Sequence, residues 1–94
     1  MSRARIEVTH VEGDRFRVTV DEGGGRTTHL VTVDPAYSTR IAGSVTREDL
    51  VRRSFEFLLE REPKDAILRS FDLPVIAGYF PEYETEIGRR LREA

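Results

Sequence analysis

The apolar residues of this chain change period once, and that change limits the folds open to it more than any other feature. Between residues 5 and 33 they alternate with polar ones, whereas from residue 46 onward they recur every three to four positions. Period two belongs to half-buried strands and period 3.6 to amphipathic helices, so a sheet followed by helices is predicted.

Three runs carry the strand signal. Ile6, Val8 and His10 alternate with Glu7 and Thr9. Phe16, Val18 and Val20 alternate with Arg17 and Thr19, and His29, Val31 and Val33 with Leu30 and Thr32. Breaks at Gly13-Asp14 and Gly23-Gly24-Gly25 are short enough for hairpins, which gives a three-stranded antiparallel meander over residues 4–34. Facing residues of an antiparallel pair share a side of the sheet, so the even-numbered apolar residues of the first two strands must face each other. That parity argues against a two-residue loop at Gly13-Asp14 and for a three-residue one with Gly13 left-handed.

Asp34 to Ser44 reads as a connector with one helical turn, anchored by Tyr37 and Ile41. Thr46 then stands as an N-cap, Asp49 at the third helical position, and Val45 and Leu50 at the two sites of a hydrophobic staple. A long amphipathic helix is predicted from Arg47 to Arg61, with Leu50, Val51, Ser54, Phe55, Phe57, Leu58 and Leu59 toward the sheet. Prolines then predict about three short helices, since each suits a first helical turn better than an interior. One runs from Pro63 to about Ser70 with Ile67 and Leu68 inward. One is capped by Asp72 and ends near Phe80. The last opens at Pro81 and presents a narrow stripe of Tyr83, Ile87 and Leu91 that calls for another surface. The class is α+β, a single domain over residues 1–94 with its helical part at 47–93.

The stretch Ser54–Glu84 contains SFEFLLEREP and YFPEYE, and in these words it resembles a family of small uncharacterised bacterial proteins. The resemblance covers about a third of the chain and implies no activity, substrate or site.

Composition bears on function mainly by exclusion. The 94 residues contain no cysteine, so disulfide scaffolds, cysteine zinc sites and thiol catalysis are excluded, and a reducing cytoplasm is the expected setting. No stretch has the length of a signal-peptide core or a membrane helix. Fifteen basic and 17 acidic residues leave a net charge of −2, spread over both halves, without the basic excess of a general nucleic-acid binder.

Candidate chemistry is sparse. His10 and His29 fall on the apolar face of the first and third strands, two strand spacings apart, roughly 10 Å before stagger, too far to share a metal. Ser54 lies inside a helix with no G-x-S-x-G elbow around any serine. The three glycines at 23–25 join two strands and follow Asp21-Glu22, which is no phosphate cradle. A helix-turn-helix over residues 64–80 would have a recognition helix without Arg, Lys, Asn or Gln. Neither catalytic residue, cofactor nor metal is expected.

Two binding surfaces remain. Tyr79, Phe80 and Tyr83 cluster beside Pro81 as a candidate partner site, because aromatic residues are enriched at interfaces. Arg5, Arg15 and Arg17 lie on the outer sheet face and could meet a phosphate backbone, although Glu7, Glu12, Asp14 and Asp21 interleave with them. The leading expectation is a small non-enzymatic interaction or accessory protein, with a homodimer as one form of it. The alternative is a nucleic-acid-binding regulator using the arginine-bearing face.

Overall fold

The computed structural model describes residues 4–93. Strands β1 (Arg5–Glu12), β2 (Arg15–Glu22) and β3 (Gly25–Thr32) form the expected meander. Helices α1 (Pro35–Ala42) and α2 (Arg47–Leu59) follow, then a 3₁₀ turn (Lys64–Ala66), strand β4 (Ser70–Asp72), and helices α3 (Val75–Tyr79) and α4 (Tyr83–Glu93). The sheet has four strands in the order β1-β2-β3-β4, with β4 parallel to β3. The α+β class holds, and the strand count is corrected from three to four.

Register in the meander follows side-chain parity. Ile6 pairs with Val20, Val8 with Val18 and His10 with Phe16, so even faces even. Val18 then pairs with His29 and Phe16 with Val31, which turns the odd residues of β3 to the same face. The first turn departs from expectation. Glu12 pairs with Arg15 after a register shift between His10 and Glu12, so Gly13-Asp14 is a two-residue connection. A bulge at Val11 absorbs the extra residue, and parity is restored without a longer loop. Gly13 is left-handed, at φ 52°. The His10 Nε2–H closes the turn by donating to the Gly13 carbonyl at 2.7 Å. The second turn is Gly23-Gly24, both at positive φ (63° and 80°), as a type I′ hairpin demands.

The connector is a full helix. Asp34 caps α1 by accepting from the Tyr37 N–H at 3.2 Å, Pro35 occupies its first turn, and Gly43 at φ 61° ends it. Its apolar stripe is little more than Tyr37 and Ile41, too narrow to announce two helical turns. Helix α2 begins as predicted, with Thr46 accepting from the Asp49 N–H at 3.2 Å. It buries Leu50, Val51, Ser54, Phe55, Phe57 and Leu58.

The inner face of the sheet and these helices enclose one contiguous cluster in which Val18, Val20, Val31, Leu50, Phe55 and Phe57 are fully buried. Helix α4 closes it with Tyr83 and Ile87, which pack beside α2 and α1. Its narrow stripe is therefore covered within the chain and calls for no other surface. Across the top of this packing, Arg90 donates to Glu60 at 2.5 Å and to Glu86 at 2.9 Å. Arg89 and Arg90 together hold the Glu86 carboxyl well below the usual range, at about 2.

After α2 the expected helix to Ser70 shrinks to one 3₁₀ turn, because the free edge of β3 recruits the following residues. Leu30 N–H donates to the Arg69 carbonyl at 2.8 Å and Leu73 N–H to the Thr32 carbonyl at 3.0 Å. Ile67 is extended and buried, so its neighbour Leu68 turns outward, 46% exposed, where a helix would have taken both inward. Helix α3 is only five residues long. Pro74 precedes it and no side chain caps it, so Asp72 does not serve as the expected cap.

Candidate functional site

An apolar groove opens where the C-terminal end of α2, residues 62–68, β4 and α3 meet. Leu58, Ala66, Ile67, Leu68, Phe71, Val75, Ile76, Tyr79 and Phe80 line it, and among the described residues Glu62 alone brings a charge to its wall. Its volume is about 150 Å³, which suits a benzene-sized group. Among the described residues four large hydrophobic side chains are exposed, and three of them, Leu68, Val75 and Tyr79, belong to this groove. Tyr79 is the most exposed, at 68%.

The backbone explains why these residues stay outside. Helix α3 and its C-cap Phe80 carry two adjacent apolar pairs at i, i+4, Val75/Tyr79 and Ile76/Phe80, and so short an element can press only one against the core. Ile76 is buried and Phe80 half-buried against the Phe57 ring, at 5.9 Å between centroids. Val75 and Tyr79 consequently face out.

The three aromatics proposed from sequence part company. Tyr79 and Phe80 line the groove, whereas Tyr83 is fully buried. Ser54 spends its proton on the Leu50 carbonyl at 2.7 Å, so the Tyr83 hydroxyl donates to Ser54 Oγ at 2.6 Å. Burial pushes the Tyr83 hydroxyl far above the usual tyrosine range, with Ser54 opposing. Tyr83 is a core residue with a satisfied polar end. Leu68, Val75 and Glu62 join the site instead, and of these Val75 was legible from the doubled i, i+4 pattern.

Beneath the groove lies His29, fully buried against the Phe55 ring at 5.2 Å. Its Nδ1–H donates to the Leu68 carbonyl at 2.7 Å, which leaves Nε2 to accept from the Thr27 hydroxyl at 2.9 Å. Burial lowers its pKa, opposed by the Leu68 bond and aided by Arg69. The side chain works as a strut that fixes the backbone of the groove wall. His10, placed on the apolar face from sequence, is exposed at the sheet's rim with its ring 4.9 Å from Phe16. The two histidines are therefore bound up in separate local contacts, and no group of acidic residues and histidines suited to a metal occurs among the described residues.

The outer sheet face is open and mixed in charge. Arg15 lies 3.9 Å from Glu12, Arg26 bonds Asp21 at 2.8 Å, and Asp14 is taken by Arg47 at 2.8 Å. Arg5 stands opposite Asp21, and Arg17 between Thr9 and Leu30. These arginines are dispersed among carboxylates rather than gathered into a track. A larger open hollow of about 610 Å³ lies between β1 and α2. Its Glu56 and Glu60 are already paired with Arg53 and Arg90. No helix among the described residues is long and apolar enough to cross a membrane.

No family model, curated protein or solved structure matches the chain.

Proposed function

We propose that this chain is a small non-enzymatic protein-interaction module whose working surface is the groove bounded by Leu68, Val75 and Tyr79. The observation that supports it is the gathering of exposed hydrophobic side chains around one concavity, since contiguous apolar surface rimmed by polar residues marks interaction sites. A cysteine-free, nearly neutral chain suits an accessory role in a reducing compartment.

A permanent homodimer through this patch is the weaker form of the reading. Stable interfaces engage about 800 Å² and 20–30 residues on each partner, and three partly exposed side chains fall well short. The arginine-bearing outer face offers less support than the groove, because carboxylates stand between its cations. Binding of duplex DNA at two salt concentrations, with the pair Arg15→Ala and Arg17→Ala, separates that rival by the salt dependence it would require.

The test of the groove is a comparison of the native chain with the double variant Leu68→Ser, Tyr79→Ser. A partner isolated with the native chain and rebuilt from purified components should lose its binding to the variant at unchanged folding. A partner that binds both alike removes the groove from consideration.

A further inference from the structure

We propose that the groove receives an extended, basic segment of a partner protein, which adds as a fifth strand to the outer edge of β4 and seats one apolar side chain in the cavity. This rests on reading the groove as an interaction surface and names the kind of partner that surface takes.

The edge supplies the first argument. The bonds from Leu30 N–H to Arg69 and from Leu73 N–H to Thr32 turn residues 69, 71 and 73 toward β3. Backbone groups of alternate residues point to opposite sides of a strand, so Ser70 and Asp72 direct their N–H and C=O groups outward. Among the described residues no loop, turn or cap bond takes them up. Such unpaired edge groups are what an incoming strand uses.

Side-chain direction supplies the second. Phe71 pairs with Val31, so both point to the inner face, and Phe71 also lines the groove. A strand added outside β4 would turn every second side chain to that same face. One of them would enter the cavity between Phe71 and α3, flanked by Leu68, Val75 and Tyr79. The edge alone is short, only three residues, and so needs the anchored side chain to hold a partner.

Charge supplies the third. Glu62 forms no ion pair among the described residues although it walls the groove, and Asp72 at the edge is likewise unpaired. Both favour a Lys or Arg beside the apolar anchor. A second copy docked about a two-fold axis would instead bring these carboxylates together with their equivalents, a costly like-charge contact.

The experiment selects linear dodecapeptides from a random displayed library against the whole chain and titrates the selected peptides into the isotopically labelled protein. Selected peptides should share an apolar residue within two positions of a Lys or Arg, and binding should slow amide exchange at Ser70 and Asp72. Methylating alternate peptide nitrogens should weaken binding about tenfold or more while the intervening positions tolerate it, and Tyr79→Ser should cost a similar factor. Glu62→Lys should turn the selection away from basic peptides. Ser70→Pro removes an outward donor that β3 does not use, and should block binding while the fold persists. Enrichment of acidic peptides, binding without protection at Ser70 and Asp72, self-association lost in Tyr79→Ser, or an empty selection would each overturn the proposal. Should that happen while the Leu68→Ser, Tyr79→Ser variant still loses a purified folded partner, the interaction reading stands and only the strand-addition inference falls.

Discussion

The two edges of this sheet are guarded in different ways. Strand β1 is eight residues long and antiparallel to its neighbour, and the Arg52 guanidinium of α2 donates to its outward Ile6 carbonyl. A bulge at Val11 and the charges of Arg5, Glu7 and Glu12 discourage further pairing along the rest. Strand β4 is three residues long, parallel, and bordered by the apolar groove. Its shortness is its main protection. The contrast teaches that length alone does not make an edge available, since the longer edge is the better defended.

The Phe55 ring meets His29 and Phe71 beneath β4 and so supports this edge of the sheet. Phe55→Ala should cost about 3–5 kcal/mol in denaturant unfolding. Amide exchange should rise at residues 69–73 well before it rises in β1, and equal loss at both edges would dissolve the distinction.

His29→Leu should cost about 1–3 kcal/mol, because the buried Thr27 hydroxyl loses its acceptor and the Leu68 carbonyl its donor. The native chain should also carry a pH dependence that this variant lacks. Burial depresses the His29 pKa in the folded state, so the unfolded chain takes up the proton first. Stability is then complete above the unfolded value of about 6.5 and declines as pH falls below it. Urea midpoints for both proteins at pH 7.5 and 5.5 would show a steeper acid decline in the native chain. Parallel declines would remove His29 as the strut of the groove wall.

On the opposite edge, Arg52→Ala should cost about 0.5–1.5 kcal/mol and speed exchange near Ile6, with sedimentation unchanged because the charges and bulge remain. The smallest effect is expected from Tyr79→Ser, within about 0.5 kcal/mol of the native stability. A thermal melt showing a larger loss would make Tyr79 part of the core and leave the groove without its most exposed wall.

Much of the fold was legible because one physical signal, burial of alternate or every third and fourth residue, governs β1–β3 and α2. The Thr46 cap and Val18–Val20 face are cases in which local preference and packing agree. The segment 62–80 was not legible for the same reason turned round. Ile67-Leu68 and Phe71 look helical when taken as a local run, but the open edge of β3 captures them in extended form, and that edge lies far away in sequence. Tyr83 shows the corresponding limit at the site: an aromatic close in sequence to the exposed Tyr79 can still be wholly interior, and its hydrogen bond to Ser54 leaves no mark on the pattern of residues.

Strand β4 also covers something. Residues 27–33, Thr-Thr-His-Leu-Val-Thr-Val, form a β-prone run with neither charge nor proline, the kind of segment that stacks with copies of itself when bared. The hairpins β1–β2 and β2–β3 close through neighbouring residues, whereas the bond from His29 to Leu68 spans 39 positions. Contacts of that separation carry a loop-closure cost that the hairpins do not, so they form after them. Three residues about forty positions downstream thus cover the edge of this β-prone run, and Phe71→Pro, which breaks β4 while leaving α3 and α4 in the chain, should precipitate more readily than the native chain.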